Sequence, residues 1–283
     1  MTRTNVRWAD TTWLEENLDR DMVIIDTQPN IHDYVQEHIP GAVYFNEGLM
    51  RVPLYGRPGV YVPDRSIEAV LSRIGVENDK TALVYSSRGA FSGQGDGLAQ
   101  TMMTYSLARY GVKDVYILNG GLDKWKCEDK ALTREFPTIE PSNFIANVHE
   151  ELFIDYERFR EMKDDEEVAL LDARPEKFYT GQGPWIQPGH IPGAINLPWK
   201  TLMEPDNAML LKDDNTINEI IGAKGIGRDK TIICSCGTGR EATNEFILFK
   251  WYLKFPEVVI YEGSFTEWSS YPKNSTVTGS EPW

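Results

Sequence analysis

A chain of 283 residues with 41% hydrophobic content is long enough to fill two ordinary cores. Its formal net charge of −14 and sequence pI of about 4.8 exclude the basic footprint of a nucleic-acid binder and disfavour an anionic membrane. An anionic substrate must therefore be caught by a local positive site against the overall field.

The opening stretch, MTRTNVRWADTTWLEENL, has no apolar signal core, and no apolar run approaches the ~18 residues of a membrane span, so a cytoplasmic location is expected. Next come an apolar strand in VIIDTQP (23–29), a turn in HIPGAVYF (38–45) and a Gly/Pro-rich stretch at 53–64. That stretch reads as a surface loop, with a reach over a cleft between domains as the alternative. IEAVLSRIGVENDKT (67–81) is an apolar-periodic helix, a Gly turn and the entry to a strand. LNGGLDKW (118–125) follows, with Cys127 just beyond it read as a buried structural thiol.

From here the chain repeats. ALLDARP (169–175), HIPGAINL (190–197), INEIIGAKGIGRDKT (217–231) and YEGSFTEW (261–268) return in the same order and register. Val168–Leu171, Ala194–Leu197, Thr231–Ser235 and Val258–Tyr261 read as buried strands, and Ala242–Leu253 as a helix. Strand and helix alternation predicts α/β architecture with a mainly parallel sheet and helices on both faces, built twice. The boundaries are an N-terminal domain at 1–130, a linker at 131–150 where LTREFPTIEPSNF lacks periodicity, and a C-terminal domain at 151–283. The tail after Trp268, SSYPKNSTVTGSEPW, reads as loop or disordered.

The chemistry concentrates in TIICSCGTGREATNEFILFKWYL, a β-branched strand running through a glycine-bearing loop into a helix. Loop and helix-start N–H groups at such a junction form an anion cradle. A cysteine at its mouth, Cys236, is expected to have a stabilised thiolate of lowered pKa and to act as a nucleophile. The plain alternative is a buried strand cysteine, which the two glycines within three residues of Cys236 argue against. The three cysteines, Cys127, Cys234 and Cys236, are too few for a disulfide framework. With His32, His38, His149 and His190 they make no metal-binding cluster, so no structural metal is expected.

The tandem repeat, the HIPGA turns, the Cys-x-x-Gly-x-x-Ala loop and EGSFTEW together resemble the rhodanese family of thiosulfate and 3-mercaptopyruvate sulfurtransferases, over about 8–270. The resemblance implies two tandem rhodanese-like domains, the C-terminal one catalytic and the N-terminal one inactive. Five residues past the Thr of each DKT stand Ser86 and Cys236, in agreement. It implies that the Cys236 thiolate takes a sulfane sulfur from a small anionic donor and passes it to cyanide or a thiol, without metal or organic cofactor. Gly237, Thr238, Gly239, Arg240, Glu241 and Ala242 would then line the substrate. Cys-Gly-x-Gly looks like the mercaptopyruvate branch, where Asp26 and His38 would support Thr238. The twins Asp172 and His190 give both residues an equally simple structural reading. The family's donor-binding Arg corresponds to Phe178, with Lys177 adjacent, so Arg240 is the candidate to hold thiosulfate instead. Arg174 reads as a fold-supporting residue.

Two other classes fit parts of this loop. Counted from Cys234, it is C-x5-R ending at Arg240, the spacing of cysteine-dependent phosphatases. Cys234 and Cys236 could also form a persulfide carrier or redox sensor, though a disulfide between thiols so placed would be strained. The oligomeric state is not legible in the sequence.

Overall fold

The computed structural model describes residues 4–283. Contacts divide it into two compact units. One runs from the start of the described chain to Arg51 and adds Tyr61–His149 and Met203–Leu211; the other holds Val52–Val60, Glu150–Leu202 and Lys212–Trp283. The first sheet runs Asn5–Ala9, Asp114–Leu118, Thr81–Tyr85, Met22–Asp26, Val43–Tyr44. The second runs Phe153–Ile154, Val258–Tyr261, Thr231–Ser235, Val168–Asp172, Ile195–Asn196, the same order built a second time. Neighbouring strands pair in parallel in both. Two flanked α/β sheets of the expected class are therefore present.

Parallel strands covered on both faces need continuous apolar runs, and the central strands supply them. Ile232, Ile233 and Cys234 are fully buried, and Ile233 packs with Leu170, Tyr261, Phe265 and Trp268. The helices Asp64–Arg73 and Asp214–Ala223 bury Ile67 and Leu71, and Ile217 and Ile221. Each is followed by a left-handed glycine, Gly75 or Gly225, that releases the chain into the next strand. The segment expected as one helix at 242–253 is α-helical over Ala242–Ile247 and widens to a π turn over Leu248–Tyr252.

Several stretches differ from the sequence reading. The stretch 131–149 packs along the first unit instead of linking freely. Thr133 and His38 exchange backbone hydrogen bonds, Ser142 N–H donates to Ser72, and Phe144 is buried. The C-terminal tail does the same on the second unit, where Val277 pairs with His190 and Gly193 N–H donates to Pro282. Both segments lack periodicity because neighbouring loops, not a helix or sheet of their own, satisfy their backbones. Each HIPGA histidine is the anchor. His38 lies against the carbonyls of Tyr34 and Glu135 (2.7 and 3.1 Å), and His190 against those of Tyr179 and Glu281 (2.9 and 3.1 Å). The 53–64 loop contains a hairpin strand: Arg51–Leu54 and Arg57–Tyr61 flank Tyr55 and Gly56, both at positive φ, the geometry of a type I′ turn. Cys127 is exposed at the end of helix Gly121–Cys127, off the stripe that buries Leu122 and Trp125.

One sequence difference between the repeats changes the electrostatics. In the second unit the buried Asp172 is clasped by Arg174, with Nε at 2.9 Å and Nη2 at 2.6 Å. In the first unit Gln28 stands where Arg174 does, so Asp26 has only neutral partners: Gln28 N–H, Gln28 Nε2 and the Tyr85 hydroxyl. Complete burial then dominates and raises its pKa from an ordinary 3.8 to about 7. The folded value exceeds the unfolded one, so this contribution to stability is full below about pH 4 and lost as pH rises through about 7. Asp26→Asn should therefore narrow the gap in melting midpoint between pH 5 and pH 8. The stabilisation at alkaline pH should reach up to roughly 4 kcal/mol, checked by thermal denaturation at both pH values.

Candidate active site

Strand Thr231–Ser235 is the centre of its sheet, and the chain leaves its carboxyl end at Cys236. Open parallel sheets place ligands at this end of their strands. The loop folds back over the sulfur. Gly239 N–H donates to Cys236 Sγ at 3.1 Å, and the N–H groups of Thr238 and Ala242 also face the thiol. Gly239 adopts φ 76°, the left-handed turn that aims these donors inward.

A second element completes the cradle. Ser264 begins the helix Ser264–Ser270, and its hydroxyl accepts the Cys236 N–H at 3.2 Å, donates to the Tyr261 carbonyl at 3.0 Å and lies 3.9 Å from Sγ. Phe265 N–H and Thr266 N–H donate to the carbonyls of Cys236 and Gly237. Trp185 covers the loop and is tied to it through Thr266 Oγ1, which it meets at 2.7 Å and which in turn donates to the Gly237 carbonyl at 2.7 Å. A Cβ on Gly237 would stand 2.4 Å from the Trp185 ring. The Arg174 guanidinium lies 4.2 Å from the centroid of Phe265 and 4.7 Å from that of Trp185, joining both walls to the Asp172 ion pair.

Ser264, Trp185 and Phe265 were not singled out in the sequence. Ser264 left a signal: aligning EGSF on NGGL puts it on Gly121, and both residues have positive φ, 52° and 57°. A non-glycine residue held there stores strain that its surroundings must compensate.

The electrostatics correct one expectation. The cradle donors favour the thiolate, but burial raises the Cys236 pKa, reinforced by the charge and hydrogen bond of Glu241. In this state the sulfur is a protonated thiol, fully buried. Thr238 is exposed, and Arg240 and Glu241 are half-buried. Lys177 is exposed, with its ammonium 4.9 Å from the centroid of the neighbouring Phe178 ring, and Phe178 stands edge-on to Trp185. Asp26 and His38 spend the hydrogen bonds described above inside the first unit. Ser86, at the cysteine's equivalent position, donates to the Thr27 carbonyl and is buried. Cys234 sits within the central strand opposite Leu171 and Ile260. Burial and the nearby Glu245 push its thiol well up, and as a residue inside strand Thr231–Ser235 it lacks the loop position that the C-x5-R reading requires. Among the described residues no cluster suited to a metal ion occurs, and no helix is long and apolar enough to cross a membrane.

Two parallel-sheet domains in tandem, one of them offering a cysteine in an N–H cradle, define the class. The rhodanese-like domain model matches residues 10–128 and 155–271, and the chain belongs to that family. It is 32% identical over 277 residues to a Synechococcus elongatus protein provisionally named a thiosulfate sulfurtransferase, covering 95% of this chain and 84% of that one. It is 28% identical over 272 residues to an Escherichia coli 3-mercaptopyruvate sulfurtransferase, covering 91% and 93%. The crystal structure of SseA from Escherichia coli, described as a 3-mercaptopyruvate sulfotransferase of rhodanese fold, superposes with a TM-score of 0.79 at 27% identity over 91% of this chain and 98% of that one.

Ser264→Ala should leave the buried Cys236 N–H unsatisfied and cost about 1–3 kcal/mol. Ser264→Gly should cost less, because it also releases the left-handed strain. Denaturant unfolding of both variants checks the order.

Proposed function

We propose that this chain transfers a sulfane sulfur from thiosulfate or 3-mercaptopyruvate to a thiophilic acceptor, cyanide or a thiol, through a persulfide on Cys236. The carrying observation is the Cys236 sulfur among the N–H groups of Thr238, Gly239 and Ala242 at the end of the central strand. As a thiolate, Cys236 attacks the outer sulfur of the donor. A new S–S bond forms, the donor's S–S or C–S bond breaks, and its electron pair leaves with sulfite or enolpyruvate. The cradle donors stabilise the anionic persulfide. An acceptor then attacks the outer sulfur and returns the electron pair to Cys236, a ping-pong cycle. Arg240 supplies the charge for an anionic donor where Phe178 cannot, with Lys177 as a second cation. The unit carrying Ser86 has no sulfur at the position equivalent to Cys236.

Thiocyanate formation from thiosulfate and cyanide, run beside 3-mercaptopyruvate, tests this. Cys236→Ser should abolish turnover and Cys234→Ser should retain it. Arg240→Ala should raise the KM for thiosulfate roughly 10–100-fold, the loss of a charged hydrogen bond. Turnover that persists in Cys236→Ser would overturn the assignment, and turnover lost only in Cys234→Ser would point to the C-x5-R chemistry.

A further inference from the structure

Cys236 is fully buried, yet a sulfur loaded by one reagent and emptied by another must meet both. Whatever covers it has to move in each half of the cycle. Within the second unit, Trp185 lies on the cysteine loop and belongs to the segment 183–188, GPWIQP, which leads from helix Glu176–Tyr179 toward His190. Exposure alternates along it: 183, 185 and 187 are half-buried, while 184, 186 and 188 are exposed, Ile186 at 85%.

The ends of this strap are fixed and its middle is latched. On one side Gln182 N–H donates to the Lys177 carbonyl. On the other, the Gly189 carbonyl accepts from Arg174 Nη2 and His190 N–H donates to the Val277 carbonyl. Among the described residues, no N–H or carbonyl of 183–188 enters a backbone–backbone hydrogen bond. Two side chains hold the middle down, both on helix Ser264–Ser270. Trp185 Nε1 donates to Thr266 Oγ1 at 2.7 Å, and Gln187 Nε2 donates to the Ser269 carbonyl at 3.1 Å. A backbone held only by side-chain latches lies at the low-stability end of a fold, where lids are found. Gly181 and Gly189, at φ 125° and 93°, stand at the two ends, where a hinge must absorb the backbone change.

The indole fits its seat because of two glycines. A Cβ on Gly237 would stand 2.4 Å from its ring, and a Cβ on Gly183 would stand 2.3 Å from it. The ring is thus pressed between the strap and the cysteine loop.

We propose that Trp185 is the gate of the sulfur site: the strap 183–188 lifts, the indole leaves Gly237, and only then does a donor or acceptor reach Cys236. Its place in turnover rests on Cys236 being the sulfur carrier. Closure after loading shields the persulfide from water and from stray thiols.

The test is the rate of iodoacetamide alkylation of the reduced full chain at a single pH, resolved cysteine by cysteine by mass spectrometry, for wild type, Trp185→Ala and Gly183→Ala. The first variant removes the cover. The second keeps the indole but pushes it off its seat, at a position whose φ lies outside the left-handed region. Cys236 should react about tenfold or more faster in Trp185→Ala, the worth of one hydrogen bond and the ring contacts in holding the closed state. Gly183→Ala should fall between that variant and wild type. The exposed Cys127 standardises the reagent, and Cys234, inside strand Thr231–Ser235, reports general loosening; neither should change. Cys236 reacting no faster in Trp185→Ala than in wild type would overturn the proposal. A parallel rise at Cys234 would overturn it too, because the unit would then have loosened as a whole. If Trp185→Ala does not fold, Gly183→Ala reacting at the wild-type rate overturns it equally. Alkylation needs no sulfur donor, so this result stands apart from any failure of persulfide formation with thiosulfate.

Discussion

The second unit depends on a single buried cation. Arg174 is fully enclosed, and its charge is tolerable only because Asp172 clasps it and Gly189 offers a carbonyl. One guanidinium thereby ties the end of a central strand to the turn before His190, and its faces carry Phe265 and Trp185. These two aromatics are the walls against which the cysteine loop is folded. Removing the cation would strand Asp172 and loosen both walls together. The Cys236 sulfur thus owes its position to an ion pair it never touches.

Duplication lets the same scaffold be read with and without that pair. The first unit keeps the sheet, the HIPGA anchor and the strap that anchor holds, but Gln28 replaces the cation, Gly121 replaces Ser264 and Ser86 replaces the cysteine. Each change alters the surroundings of one strand end and leaves the architecture standing. The histidines are common to both units because each fastens a segment of chain through backbone carbonyls.

This division explains what could be read in advance. The duplicated parallel α/β sheet and the cysteine at the strand end were legible, because each rests on local periodicity or on a turn with fixed chemistry. The packed course of 131–149 and of the tail was not, since their backbones are satisfied by distant loops and leave no period. Cys127 was misplaced because a single thiol near a helix end carries no phase information. The protonation of Cys236 was also hidden: glycines announce the cradle, but burial and Glu241 together outweigh it, and only three-dimensional proximity reveals that competition. Ser264 could have been found by asking why a serine occupies a glycine's place.

The contact between Gly237 and Trp185 constrains how this site can change over generations. With no side chain at 237, the indole lies directly on the loop; with even a methyl group there, ring and loop cannot both stay. A lineage that acquires a basic or bulky residue at 237 must lose or turn aside the tryptophan first, or in the same step. The two positions should therefore covary, because the indole keeps this place on the loop only where residue 237 carries no side chain.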